Sequence, residues 1–247
     1  RALAHAIVRT PAARYRQAIS SGHAAIDVAA AQAQHAEYTA ALRAAGLDVT
    51  VLPADERYPD GCFMQDPATV INGHAIICRM AAASRQGEEE GAAAALAGRF
   101  PMSAITTPGT LEGGDLLVLP DRVLAGLSAR SNAAGVAQLA AALQPVDMPV
   151  IPVPVTDYLH LLTAVNYLGH GLALALEDYV DHPALAGLEV ISVPRAESYA
   201  VNVLAAGRFV VLPAGFPQVA SLLRAAGFEL LPVPVSEFAK ADGGVTC

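Results

Sequence analysis

Short apolar runs bounded by glycine, proline and aspartate alternate along the chain with alanine-rich stretches whose apolar positions repeat at helical spacing. The runs predict strands over Ala4–Val8, Asp48–Leu52, Ala68–Ile71, Ala75–Cys78, Asp115–Val118, Val123–Gly126, Val150–Val153, Ala164–Tyr167, Leu172–Ala175, Val190–Val193, Val201–Leu204, Phe209–Leu212 and Glu229–Val233. The helical spacing predicts helices over Ala24–Ala45, Gln86–Arg99, Ala133–Leu143 and Phe216–Ala226.

A module recurs within this order: two strands close together, a helix, then a strand that ends in a proline-rich corner. Asp48–Pro53, Met102–Pro108, Val150–Pro154, Leu188–Pro194 and Glu229–Pro234 read as the closing strands. Five such corners in one α/β chain point to a ring of repeated units, with function gathered at its central axis. No linker-like stretch divides the 247 residues, so the chain reads as one domain, 1–247.

Composition narrows the classes. Hydrophobic residues make up 54% and charged residues 15%, which supports a sizeable core and argues against disorder. No uninterrupted apolar run approaches the ~20 residues of a membrane span. The start, Arg1 to Val8, is too short for a signal peptide and carries His5, so it reads as a first strand; lacking an initiator methionine, it also reads as trimmed. The net charge is −8 with no cluster of Lys or Arg, which argues against nucleic acid or anionic membrane as partners and suits a cationic small molecule. Three cysteines at unrelated spacings argue against a disulfide framework and for a reducing, cytoplasmic setting.

Candidate chemistry lies on separate segments. Cys247 closes the run Asp242-Gly243-Gly244-Val245-Thr246-Cys247, where a glycine turn feeds a β-branched stretch and sets the thiol at the edge of the folded body. His160 sits in Asp157-Tyr158-Leu159-His160-Leu161. Asp66 precedes a strand opened by Pro67, either as a turn residue satisfying backbone donors or as a ligand group. Glu112-Gly113-Gly114-Asp115 is either a hairpin or a place where backbone approaches a ligand while carboxylates point at it. Read singly, His160 is either a hydrogen-bonded core imidazole or a proton carrier, and Cys247 either a small hydrophobe or a nucleophile. Together, a thiol, an imidazole and carboxylates are the parts needed for covalent attack on an electron-poor carbon. Cys62 and Cys78 fit the small-hydrophobe reading. Arg85 and Arg130 are either helix-flanking surface charges or a fork for a substrate carboxylate. Neither His-x-x-x-His nor Cys-x-x-Cys occurs, which argues against a zinc site.

Taken in order, several segments resemble the dimethylarginine dimethylaminohydrolases of the guanidino-group-modifying superfamily, from about Arg9-Thr10-Pro11 to Cys247. They are Asp55-Glu56-Arg57-Tyr58-Pro59-Asp60, Phe63-Met64-Gln65-Asp66-Pro67, Ser84-Arg85, Leu111-Glu112-Gly113-Gly114-Asp115, Ser128-Ala129-Arg130-Ser131-Asn132, Leu159-His160-Leu161 and Ser236-Glu237-Phe238 leading to Cys247. The resemblance implies a five-bladed α/β propeller of repeated ββαβ units around a central active site. It also implies a hydrolase that converts N-methylated arginine to citrulline and a methylamine through a thiouronium on Cys247, with no metal and no organic cofactor. By position, Cys247 would be the nucleophile, His160 the proton carrier and Glu112 its orienting partner. Asp66 would hold the guanidinium, while Asp60, Arg85 and Arg130 would grip the amino-acid end. Relatives suggest a homodimer, and members usually continue several residues beyond this cysteine.

Two departures bear on substrate preference. Many members carry two adjacent acids where this chain has Gln65-Asp66. Gln65, counted among the substrate-binding residues, is therefore expected at the pocket rim or with its amide turned to the backbone. Leu162 stands where arginine deiminases place an aspartate that grips a second guanidinium nitrogen. Losing that partner would cost a buried cation on the order of several kcal/mol, which favours an N-substituted arginine over arginine itself. The rival readings are an arginine deiminase, an amidinotransferase and a non-catalytic arginine-type binding protein. The deiminases' extra helical insertion has no room here, and retention of both His160 and Cys247 counts against the last.

Overall fold

The structure, a computed structural model, describes residues 3–247. The first repeat is a parallel pair, β1 (His5–Arg9) and β2 (Asp48–Leu52), joined by helix α1 (Val28–Ala44). The other four repeats share one plan: an antiparallel pair, a crossover, and a third strand parallel to the second. They are β3 (Ala68–Ile71), β4 (His74–Ile77), α2 (Glu88–Leu96) and β5 (Met102–Ala104); then β6 (Leu116–Val118), β7 (Val123–Leu127), α3 (Ala133–Leu143) and β8 (Val150–Pro154). Next come β9 (Val165–Gly169), β10 (Leu172–Leu176) and β11 (Glu189–Val193), and last β12 (Leu204–Ala206), β13 (Phe209–Pro213), α4 (Pro217–Ala225) and β14 (Glu229–Val233), followed by the short helix α5 (Ser236–Ala239). The β3–β4 turn is Asn72-Gly73 with both residues at positive φ, the geometry that matches strand twist in a two-residue hairpin.

The middle strand of each three-stranded sheet is the most apolar because it is covered on both faces. Successive sheets share apolar wedges. Ile7 of β1 meets Ala75 and Ile77 of β4, and Ile76 of β4 shares a cluster with Val123 and Ala125 of β7. Leu117 and Leu124 of the third repeat pack with Val165 and Ala173 of the fourth, and Leu174 and Leu176 there pack with Val210 and Leu212 of the fifth. The last wedge joins Val211 and Val233 of the fifth repeat to Val8 and Leu42 of the first, so the five units close into a propeller-like ring. Among the described residues, no helix is long and apolar enough to cross a membrane.

The elements differ from the sequence pattern in instructive places. Helix α1 starts at Val28, not Ala24, because the Asp27 carboxylate accepts from the Ala30 N–H at 3.1 Å and caps it. Helix α2 is shorter than Gln86–Arg99 because Gly87 and Gly98 take left-handed conformations on either side of it. The closing strand of the second repeat spans three residues rather than Met102–Pro108. Asp115 lies in a 3₁₀ turn, Gly113–Asp115, ahead of β6. Val201 ends a 3₁₀ segment, Arg195–Val201, so the strand expected from Val201 begins at Leu204. The fourth repeat has no α-helix: 3₁₀ turns at Glu177–Tyr179 and Pro183–Leu185 carry the crossover between β10 and β11.

Candidate active site

The chemical groups sit where one repeat hands over to the next. Asp60 and Asp66 lie between β2 and β3, Glu112 and Asp115 between β5 and β6, and His160 between β8 and β9. Asn202 occupies the same kind of junction between β11 and β12, and Cys247 follows the last sheet. Arg85 and Arg130 come from corresponding strand-to-helix connections in the second and third repeats. One cavity is lined by Asp60, Asp66, Arg85, Arg130, His160 and Cys247, with Ile19, Phe63 and Leu159 as apolar wall. Its free volume, about 30 Å³, is on the scale of one or two waters, so a ligand of amino-acid size has to displace side chains.

Glu112 is fully buried and receives three groups. Its Oε2 lies 2.9 Å from His160 Nε2, its Oε1 accepts from the Ala81 N–H at 3.2 Å, and Arg130 Nη1 stands 3.7 Å from Oε1. The imidazole packs on Gly114, where an added Cβ would fall 2.8 Å from His160 Nδ1; this contact requires a glycine. Asp66 accepts from Arg85 Nη1 at 2.9 Å and from the Gly114 N–H at 3.2 Å. Asp60 accepts from the Ile19 N–H at 3.0 Å. The Gly244 N–H donates to Cys247 Sγ at 3.2 Å, and the Cys247 carbonyl accepts from the Gln65 N–H at 3.1 Å. Asn202 holds the same segment: its amide accepts from the Thr246 N–H at 2.8 Å and donates to Thr246 Oγ1 and the Leu162 carbonyl.

Electrostatics divide the two reactive groups. Burial alone would favour a neutral imidazole, but the hydrogen bond to Glu112 and the charges of Asp66 and Asp115 outweigh it, so His160 holds its proton above the usual histidine range. Burial pushes the Cys247 thiol up to about 12, and Asp66 adds to the rise against the opposing Gly244 N–H and Arg85. Asp66 is itself buried, yet Arg85 and His160 hold its carboxyl below the ordinary range. With the buried carboxylates of Glu88, Glu112 and Asp115 behind its wall included, acids outnumber cations around the cavity, an environment that favours a positively charged ligand.

Most residues expected from the sequence line this cavity or, like Glu112, lie directly behind it. Two assignments change, and Arg85 has to rearrange before it can fill its own. Arg85 is not open to a carboxylate in this state: its Nη1 is on Asp66, and its Nε and Nη2 are on Glu88, all buried. Gln65 does not line the cavity; its backbone holds the Cys247 carbonyl, and its side-chain Oε1 is buried without a hydrogen-bond partner among the described residues. Asp115 turns away from the cavity toward Ser128 and Ser131. Leu162 packs in the apolar wedge between the third and fourth repeats. Sequence reasoning missed Glu88, whose carboxyl burial pushes up to about 7; its signal was the Arg85-x-x-Glu88 spacing at a helix start. Asn202 gave no local signal. Asp66, Glu112 and His160 also present ligand atoms within 4.8 Å of one another, a grouping able to hold a metal ion that spacing could not reveal because its members come from three junctions. Asp66 and Glu112 already face Arg85 and His160 there.

Comparisons with known proteins give the same direction. Residues 10–247 match the family described as N,N dimethylarginine dimethylhydrolase, eukaryotic. An N(G),N(G)-dimethylarginine dimethylaminohydrolase of Pseudomonas aeruginosa is 37% identical over 246 residues, 98% of this chain and 97% of that protein. A solved structure of the Pseudomonas aeruginosa enzyme, a cysteine-to-serine variant complexed with citrulline, superposes with a TM-score of 0.97 at 36% identity, covering 100% of this chain and 98% of that one. A histidine-to-glycine variant of a dimethylarginine dimethylaminohydrolase, as an adduct with S-methyl-L-thiocitrulline, superposes with a TM-score of 0.96 at 36% identity over 99% of this chain and 98% of that one.

Proposed function

The chain belongs to the dimethylarginine dimethylaminohydrolase family, and from that premise we propose that it hydrolyses the guanidino group of an N-methylated arginine to citrulline and a methylamine. The observation that carries this reading is a single acid-rich cavity lined by Cys247, His160 and Asp66, with Glu112 bonded to the imidazole.

The substrate cation enters against Asp66 and Asp60. Arg85 gives up its bond to Asp66, and with Arg130 takes the substrate carboxylate, so one guanidinium replaces another beside Asp66. The incoming charge lowers the cost of ionising Cys247, whose thiol is otherwise held protonated and now releases its proton to solvent, His160 being already charged. The thiolate attacks the central guanidinium carbon and forms a C–S bond. The imidazolium of His160, kept charged by Glu112, gives its proton to the departing methylated nitrogen as the C–N bond breaks. A planar thiouronium remains on Cys247. Water then attacks the same carbon while the neutral imidazole takes one of its protons; as the C–S bond breaks the remaining hydroxyl proton passes to solvent, and citrulline leaves the thiolate behind. Every step uses side chains of this chain and water. Leu162 supplies no second carboxylate, which favours substrates whose guanidino head carries methyl groups.

A citrulline-forming assay with dimethylarginine, monomethylarginine and arginine tests the reading. Methylated substrates are expected to turn over faster than arginine, and Cys247→Ser and His160→Gly to abolish turnover. Full activity in either variant, or no citrulline from any methylated arginine, overturns it.

A further inference from the structure

We infer that Asp115 is a positioning residue for the reaction, its buried carboxylate setting the His160 imidazole, the Glu112 carboxylate and the Arg130 loop in mutual register. The inference rests on the roles given above to His160 and Glu112.

Asp115 is fully buried and points away from the cavity. Its Oδ1 accepts from the Leu161 N–H at 3.0 Å, directly after His160 in the chain. Its Oδ2 accepts from Ser131 Oγ at 2.6 Å and Ser128 Oγ at 2.7 Å. Each hydroxyl relays the constraint. Ser131 Oγ accepts from the Glu112 N–H at 3.0 Å, and Ser128 Oγ accepts from the N–H groups of Arg130 at 3.0 Å and Ser131 at 3.2 Å. One acceptor-only group therefore ties the junction that carries Glu112 to the junction that carries His160 and to the loop that carries Arg130. The His160–Glu112 bond spans two of those segments, so its length is fixed from behind by the Asp115 network.

The site is built without slack. A Cβ at Gly126 would fall 2.5 Å from Asp115 Oδ1. A carboxylate matches three donors, whereas an amide offers one acceptor oxygen and opposes both hydroxyls with N–H groups. Asp115 also adds negative charge near His160, together with Asp66 and Glu112, while Asp60, Asp242, Arg85, Arg130 and the Cys247 thiol are the other titratable groups facing the cavity.

Asp115→Asn tests this in steady-state kinetics with a methylated arginine. The expected result is a kcat lower by about tenfold or more with a smaller rise in KM, since Asp60 and Asp66 stay in place and only the Arg130 grip is loosened through Ser128. Losing one of three carboxylates around the imidazole should also move the alkaline limb of kcat to lower pH. Ser131→Ala keeps the charge and cuts one relay, so it should lower kcat with no movement of that limb. A folded Asp115→Asn protein with wild-type kcat and an unmoved limb overturns the inference. If Asp115→Asn does not fold, a Ser131→Ala protein with wild-type kcat overturns it instead. A wild-type chain without turnover would refute the proposed reaction, a separate outcome.

Discussion

An empty site should hold Cys247 inert, and the arrival of a cation should wake it. The thiol is pushed up to about 12 by burial and by Asp66. At pH 7 such a group is ionised in roughly one molecule in 10⁵. A guanidinium about 4 Å from the sulfur, at an effective dielectric of about 20, stabilises the thiolate by about 4 kcal/mol. At 1.36 kcal/mol per unit this offsets about three units and returns the sulfur near an ordinary thiol. The assay is alkylation of Cys247 by iodoacetamide as a function of pH, read by peptide mass, with Cys247→Ser to account for Cys62 and Cys78. Without a cation the rate should climb about tenfold per pH unit to about pH 9 and beyond, with no neutral plateau. Guanidinium ion, far below denaturing concentrations, should raise the rate near neutral pH by up to about a thousandfold, while neutral urea should not. A plateau near pH 7 in the empty protein, equal acceleration by urea, or slowing by guanidinium would refute the reasoning.

Replacing Glu112 with Gln removes the charged partner of His160 Nε2, a bond worth about 1.5–3 kcal/mol, and should cost about tenfold to a hundredfold in kcat/KM. Because Glu112 raises the imidazole's proton affinity, the His160 midpoint in an NMR titration should fall in this variant; an unmoved midpoint would show the bond to be electrostatically idle. The sign extends to stability. His160 stabilises the wild-type fold fully below its unfolded value of about 6.5 and loses that contribution as pH rises through the raised folded value, so the pH dependence of unfolding should flatten in Glu112→Gln. The hydroxyl of Tyr15 is fully buried with no hydrogen-bond partner among the described residues, so Tyr15→Phe should leave denaturant stability unchanged or raise it by about 1 kcal/mol; a loss of about 2 kcal/mol would mean the hydroxyl is bonded.

What was legible in the sequence follows from where the physics is local. Asp48–Leu52, Ala68–Ile71 and Glu229–Val233 are found with their predicted bounds because short apolar runs between breakers, β-branched in the first two, carry their own signal. Ala133–Leu143 likewise matches, with Asn132 capping it at the Gly135 N–H. The start of α1 was readable from Asp27, a stronger signal than the alanines before it. No helix range was expected between β10 and β11, and none forms there, where Pro183 and Gly187 break the segment. For the site, residue identities survive in short motifs, but partners do not. Nothing near Arg85 in sequence says that Asp66 occupies one of its donors, and the direction of the Asp115 carboxylate depends on a serine loop beyond the next two strands. The network that orients the site is assembled across repeats, where spacing carries no information.

Placing the reactive groups at the hand-over between units has a consequence for how such a chain can change length. The gap between sulfur and imidazole is governed by the inner ends of neighbouring sheets, not by the outer crossovers. The crossover from β10 to β11 is only two 3₁₀ turns, yet the junctions before and after that unit still meet, Asn202 bonding both the Leu162 carbonyl and Thr246. Insertions and deletions along the periphery are thus mechanically insulated from the chemistry, whereas adding or losing a whole unit would pull the reacting atoms apart.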